Sequence, residues 1–358
     1  MRILVGSGYG YWGDFVPTDL RQGDKQIGGG ETAMISISRE LAALGHEVIV
    51  FYDTAYASSY EGVDYLPTNL MVPMICQLEH DVLVSWDNPA IFRFADRSKL
   101  RIMAFQLNNA ELTILDHTID LYFHPSLWHA ERFHGLYPEM TPSKSRVKLT
   151  NGIDLHRYVP EVERDSRRAI YSSSPDRGLH HLLRVWPRVR EEVPEATLHV
   201  FYEIDRWLEL VLGSGAGSSA IHERAHIVKD AREDSSGKGI HFHGGVGQAQ
   251  LAVEQLKSAV QVYPCDPVQP TEGFSMTCLE AITAGCSLVI TDADALQELW
   301  ADAPGVTIIP LPINDDLWVE TIVQELLADK ERVPLLPKQY TWAVIAQLWD
   351  KEMKAWLT

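Results

Sequence analysis

Apolar positions along the chain follow two alternating rhythms. Short apolar runs at residues 2–5, 46–52, 81–86, 101–105, 121–124 and 146–150 read as buried strands, and so do 169–172, 197–202, 240–246, 259–263 and 287–291. Between them the apolar residues recur at helical spacing. Met34, Ile37, Leu41 and Leu44 share one face of a helix over 31–44, which Gly45 stops. Further helices are expected at 89–95, 127–137, 179–193, 220–238, 248–258, 276–284, 318–327 and 342–356. Alternation of strand and helix of this kind argues for parallel sheets with helices on both faces.

Length and charge narrow this picture. A chain of 358 residues fits two domains of ordinary size. The expected division is 1–160, with the last helix 342–358 added to it, and 161–341. The polar stretch 155–168 suits a linker. A net charge of -18 argues against a nucleic-acid partner and against an anionic membrane surface. Nothing reads as a membrane span, because no apolar run is long enough. Cys76, Cys265, Cys278 and Cys286 show no paired metal spacing and imply no disulfide framework, which fits a reducing, cytoplasmic setting.

The densest chemistry lies in Thr271-Glu272-Gly273-Phe274-Ser275-Met276-Thr277-Cys278-Leu279-Glu280. It follows the strand 259–263 and a Pro-rich turn, and it opens the helix 276–284. A helix N-terminus at the carboxyl end of a parallel sheet can hold an anion on its free N–H groups. Gly273, Phe274, Ser275 and Met276 can offer such groups to a phosphate or a sugar, and Gly273 has no Cβ to block close approach. Glu272 in the loop can accept hydrogen bonds from sugar hydroxyls. Glu280, about a turn and a half along the helix, can accept from the hydroxyls of a ribose. Sugar, diphosphate and ribose occur in that order in a nucleotide-sugar.

This stretch resembles the E-x7-E signature of retaining glycosyltransferases of the GT-B fold, in particular family GT4. The resemblance rests on Glu272 and Glu280, with Gly273-Phe274 between them and Glu280-Ala281 at the close. It implies an α/β fold of two Rossmann-like parallel-sheet domains facing a cleft, with a C-terminal helix crossing back to the N-terminal domain. It also implies a donor nucleotide-sugar bound mainly by the second half and an acceptor by the first. Arg177-Gly178 stands where the family carries Lys-Gly on the diphosphate, and Arg177 can clamp a diphosphate bidentately. A serine stands where the family has an arginine, so Ser172 and Ser173 offer hydroxyls without charge. Gly244 and Val246 fall in the turn that lies under the nucleotide base in the family.

The first half carries weaker echoes. Gly28-Gly29-Gly30-Glu31 opens a helix that ends in Gly45-His46-Glu47-Val48, as in the family, and Gly29 and Gly30 can bring N–H groups to a phosphate. The turn Gly6-Ser7-Gly8-Tyr9-Gly10 is not a proper G-x-G-x-x-G, and a nicotinamide site there, with Asp53, ranks low. Gln106 and Asn108 in Gln106-Leu107-Asn108-Asn109 sit at a strand end on the acceptor side, where some family members carry a histidine. His124 reads as structural. Asn151-Gly152-Ile153-Asp154 resembles the family's run before the linker. His241 and His243 alternate along their strand without metal spacing. Asp292-Ala293-Asp294 contains a D-x-D, in which Asp294 reads as a helix N-cap rather than a metal ligand.

The resemblance therefore implies transfer of a hexose, with retention, from a nucleoside-diphosphate sugar to a hydroxyl of a glycan, lipid or other acceptor. Glu272 and Arg177 would carry the catalysis, with no metal or other cofactor. Two alternatives stay open. One is a silent nucleotide-sugar-binding module, motivated by the missing histidine and arginine. The other is a nucleotide-sugar epimerase on the same fold. Sugar, base, acceptor and oligomeric state are not encoded legibly.

Overall fold

A computed structural model describes residues 1–6, 17, 27–108, 112–215, 217–328, 335 and 337–358. The turn read at residues 6–10 lies outside these beyond Gly6, and so does Asn109. The chain forms two compact units, divided between Asp154 and Leu155, and the segment Pro337–Thr358 belongs to the first.

The first unit is built on β1 (Arg2–Gly6), α1 (Gly29–Ala43), β2 (Glu47–Tyr52), β3 (Ser58–Tyr60), β4 (Val63–Pro67), α2 (Met71–Gln77), β5 (Val82–Trp86), β6 (Leu100–Ala104), β7 (Leu121–His124), α3 (Leu127–Leu136) and β8 (Ser145–Val147). Its sheet has the order β3-β4-β2-β1-β5-β6-β7-β8. All pairs are parallel except the β3–β4 hairpin. Strands covered on both faces need continuous apolar sequence, and β5 is buried at every position.

The second unit contains β9 (Asp165–Tyr171), α4 (Leu179–Glu192), β10 (Thr197–Val200), α5 (Ile204–Leu208), α6 (Ser219–Glu233), β11 (Ile240–Phe242), α7 (Gln248–Lys257), β12 (Ser258–Tyr263), α8 (Met276–Ala284), β13 (Ser287–Thr291), α9 (Leu296–Trp300), β14 (Val306–Ile309) and α10 (Asp315–Leu327). Its wholly parallel sheet runs β11-β10-β9-β12-β13-β14. The final helix, α11 (Trp342–Leu357), returns to the first unit. There Trp342, Ile345, Ala346, Trp349 and Met353 join the core formed by β1, β5 and β6.

Most expected elements appear within a residue or two of their read ends, and the exceptions have local causes. The strand read at 146–150 stops at Val147, because Lys148 turns to φ +61°. The strand read at 240–246 ends at Phe242, ahead of Gly244 at φ +76°. Residues Pro89–Phe94 form a 3-10 helix, capped where the Asn88 side chain accepts from Ala90 N at 3.2 Å. The stretch read as linker gives up its end to β9, which begins at Asp165. The hairpin β3–β4, helices α2 and α5 and strand β14 were not anticipated, and the helix read at 220–238 ends at Glu233.

A chain of polar groups lies buried beside β7. His129 Nε2–H donates to Leu107 O at 3.1 Å, so its Nδ1 accepts from His124 Nδ1–H at 3.0 Å. His124 Nε2 then accepts from Ser145 Oγ at 3.2 Å, and Ser145 Oγ accepts from His134 Nε2 at 3.0 Å. This pattern closes with His124 and His129 both neutral, the form that burial favours. Burial holds His124 well below the ordinary imidazole range and His129 down at about 4.

Two tests follow from this packing. Trp349 is fully buried, stacks on Trp86 at 5.9 Å, meets Phe123 edge-on at 4.8 Å and donates Nε1–H to Leu149 O. Trp349→Ala should cost about 3–5 kcal/mol in urea unfolding of the first unit. The second concerns acid. His129 titrates at 6.5 when unfolded and at about 4 when folded, so the unfolded chain binds the proton first. Stability is complete above about pH 6.5 and falls toward pH 4, by up to about 1.4 kcal/mol per pH unit for such a histidine. His129→Gln should flatten the dependence of the urea midpoint on pH over that window.

Candidate functional site

In the second unit the strand order reverses between β9 and β12, so their carboxyl ends flank a crevice of the kind where open α/β sheets bind ligands. Two loops meet there. The first leaves β9 through Ser172 and Ser173 and turns at Pro175–Arg177 into α4. The second leaves β12 and reaches Glu272 before α8. Their approach requires glycine at 178. Its φ is +113°, and a Cβ would stand 1.8 Å from Pro264 O.

The two loops are joined by charge. Arg177 Nη1 donates to Glu272 Oε1, and the Glu272 side chain is 2% exposed. Burial is the largest single influence on Arg177 and works against its charge, but Glu272 together with Tyr263, Asp176 and Cys265 outweighs it and raises the guanidinium pKa further. A second clamp comes from α6. Arg224 Nη1 donates to Asp176 O at 2.6 Å and to Asp266 O, tying both loops to one guanidinium.

Asp294 is not the N-cap that its sequence position predicts. Ala295 precedes α9, and Asp294 sits at φ +53°. Its Oδ2 accepts from Thr271 N at 2.7 Å and Glu272 N at 2.9 Å, while Ala295 N donates to Glu272 O at 3.1 Å. The loop bearing Glu272 is thus gripped through its backbone from both sides. Asp292, the other acid of the D-x-D, accepts from Leu311 N at 2.9 Å.

Helix α8 begins abruptly. Ser275 lies at φ +68°, an uncommon conformation for a residue with a Cβ, and turns the chain into the helix. Phe274 is buried edge-on against Trp300 at 5.3 Å, and Trp300 Nε1 donates to Phe274 O at 2.9 Å. Thr277 Oγ1 donates to Ser172 O at 3.0 Å, which pins the first turn of α8 to the end of β9. Ser172 Oγ bonds Gln261 Oε1 at 3.2 Å, and Ser173 Oγ bonds the Tyr263 hydroxyl at 3.3 Å.

The structure therefore gathers Ser172, Ser173, Arg177, Glu272, Gly273, Phe274, Ser275 and Met276 at one end of one sheet. Glu280 lies farther along α8 and accepts from Gln255 Nε2 at 3.3 Å. Burial raises the Glu280 carboxyl pKa, opposed by that amide and by the charge of Arg157. Gly244 and Val246 follow β11, two strands from β9, where Glu203 Oε1 holds Gly245 N at 3.0 Å. Gly29 and Gly30 open α1 in the first unit, with open space where a Cβ would point. In that unit Gln106 Nε2 donates to Thr150 O at 2.9 Å, and Asn108 is buried with its carbonyl accepting from Arg132 Nε at 3.3 Å.

His180, His181 and Asp266 bring three potential metal-ligating atoms within 4.8 Å of one another. The group is a poor cation site. His181 Nε2 already bonds Asp266 Oδ2 at 2.9 Å, Arg184 Nη2 points at His181 Nδ1 at 3.0 Å, and Arg224 lies 3.4 Å from the same carboxylate. Arg224 adds positive charge beside the Arg177 loop. Sequence reasoning missed Arg224, Asp266 and the loop-holding role of Asp294; of these only the D-x-D drew notice.

Residues 168–329, from β9 through α10, match the family described as Glycosyl transferases group 1. The likeness to that family therefore lies in the second unit. A lipopolysaccharide 1,2-N-acetylglucosaminetransferase of Salmonella typhimurium (strain LT2) is 23% identical over 241 residues, which are 62% of this chain and 59% of that protein. The chain thus spans about three fifths of that relative's length. HepE of Anabaena, solved with UDP and glucose, superposes on this chain with a TM-score of 0.68 at 13% identity, covering 99% of this chain and 100% of that one. Sucrose-phosphate synthase of Thermosynechococcus elongatus gives a TM-score of 0.63 at 14% identity, covering 99% and 100%. At such identities the likeness establishes the fold, and that fold is GT-B.

The Asp294 clamp can be tested without any substrate. Asp294→Ala removes a charged acceptor from two loop N–H groups and should cost about 1–3 kcal/mol in urea unfolding of the second unit. Asp294→Asn, which keeps an oxygen in place, should recover most of the loss.

Proposed function

We propose that the chain transfers a hexose from a nucleoside-diphosphate sugar to a hydroxyl acceptor with retention of configuration. The observation that carries this is the meeting of Arg177, Glu272 and the N-terminus of α8 at the reversal point of the second sheet. As the glycosidic bond breaks, negative charge grows on the departing diphosphate. Arg177 and the N–H groups from Gly273 to Met276 are preorganised to receive it. Glu272 would orient the sugar, and Glu280 the ribose. The acceptor oxygen attacks the anomeric carbon from the side the diphosphate leaves. The C–O bond forms as the old one breaks, and the hydroxyl proton passes to a phosphate oxygen. This route needs neither a protein nucleophile nor a metal, since protein donors supply the charge stabilisation.

The relatives support this reading. One is named as transferring N-acetylglucosamine, and one was solved with UDP and glucose. Among the described residues no helix is long and apolar enough to cross a membrane. The free thiols, Cys76 exposed among them, suit a reducing cytoplasm, where we place the protein. One observation favours the silent binding module as a second reading: Arg177 is engaged by Glu272, and an uncharged serine replaces the family's second cation.

A panel of nucleoside-diphosphate hexoses separates the two. Release of free nucleotide by the wild type, lowered about 100-fold or more by Glu272→Ala or Arg177→Met, supports the enzyme. Raised melting temperature with donor but no release with any acceptor supports the silent module. Chelation with EDTA should leave the rate unchanged; loss of the rate would overturn the metal-free mechanism.

A further inference from the structure

The first unit has its own reversal of strand order, between β1 and β5. By the rule that places Arg177 and Glu272 in the second unit, the crevice beyond the carboxyl ends of β1 and β5 is where the first unit would hold a ligand. Asp87 is the residue that immediately follows β5. We infer that Asp87 binds the acceptor, taking a hydrogen bond from a hydroxyl of a polyhydroxylated, glycan-type substrate. The inference rests on the glycosyltransferase reading above, and it adds a residue to which that reading gives no part.

Three features of Asp87 carry it. Its backbone sits at φ +52°, a region in which a residue with a Cβ stays only when its surroundings hold it there. Its carboxylate faces the end of the neighbouring strand, where one oxygen, Oδ1, accepts from both Gln106 N at 2.9 Å and Leu107 N at 3.2 Å. Both protein donors thus converge on a single oxygen of a group with capacity for about four hydrogen bonds. Burial is the main influence on this carboxyl and pushes its pKa up to about 7, opposed only by those two amides. No charged side chain of the described residues offsets it, unlike Glu272 with its arginine. A carboxylate in such surroundings gains from hydroxyl donors that a substrate would bring.

The neighbours fit the same role. Asp87 organises the segment that carries Gln106 and Asn108, whose own polar groups hold the loop to Thr150 and Arg132. Leu107, between them, is 55% exposed and gives the apolar face of a sugar ring a surface beside the carboxylate.

The test uses the full chain with a nucleoside-diphosphate hexose and a panel of methyl glycosides as acceptors. Asp87→Asn keeps an oxygen for Gln106 N and Leu107 N, so its melting temperature and donor affinity should match the wild type. Its acceptor kcat/KM should fall about 30-fold, mainly through KM, as for loss of a charged hydrogen bond. If Asp87→Asn melts early, Asp87→Glu carries the test, and the retained carboxylate should recover part of the acceptor KM. Acceptor KM within threefold of the wild type in Asp87→Asn, or donor and acceptor KM rising together, overturns the inference alone. A wild type that transfers to no acceptor overturns the glycosyltransferase reading and this inference with it.

Discussion

A carboxylate that is 2% exposed cannot stand alone, and the ion pair between Glu272 and Arg177 is the constraint around which the second unit is arranged. An unpaired charge at that depth would cost several kcal/mol. Arg177 supplies the counter-charge, and it reaches Glu272 only because glycine at 178 lets one loop press against Pro264. Asp294 and Arg224 then fix the two loops through backbone atoms rather than through the side chains of Glu272 and Arg177. On the proposed reading, an entering diphosphate meets a guanidinium that is already aimed, 34% exposed and shared with Glu272, so the acid proposed to orient the sugar and the cation proposed to receive the phosphate are coupled in one interaction.

Both sheets obey a single topological rule. In each, the run of parallel strands reverses its order once, and at that reversal a carboxylate follows the newly begun half of the sheet: Asp87 after β5 and Glu272 after β12. Their environments differ. Glu272 is matched by a cation, whereas Asp87 has only amides, and burial drives its pKa up. Parallel strands leave their carboxyl ends open for loops, and the loops carry the chemistry while the buried strands supply rigidity.

The first unit is completed by a helix from the far end of the chain. Trp349 fills the space between Trp86 and Phe123, so residues separated by most of the sequence share one core. The neutral histidine chain beside β7 closes the same unit at the loop after β6, since His129 holds the carbonyl of Leu107. That loop is therefore supported from two directions, by His129 below and by Asp87 above its amides.

The amino-acid sequence by itself determined the alternation of strands and helices, because apolar periodicity is a local property. It also marked Glu272 and Glu280, whose separation along one loop and one helix is local as well. Helix α8 and strand β13 fall where the apolar spacing and Gly285 put them. The β3–β4 hairpin escaped notice because Ser58 and Ser59 are exposed and carry no apolar alternation; only Val63 and Tyr65 face inward. Tertiary structure alone decided the rest. Asp294 reads as a cap from its neighbours, yet it serves amides more than twenty positions earlier. Arg224, Asp87 and Trp349 likewise take their roles from partners that are distant in sequence. A hydrogen bond or an ion pair between remote segments leaves no periodic trace, and only the folded chain brings its two ends together.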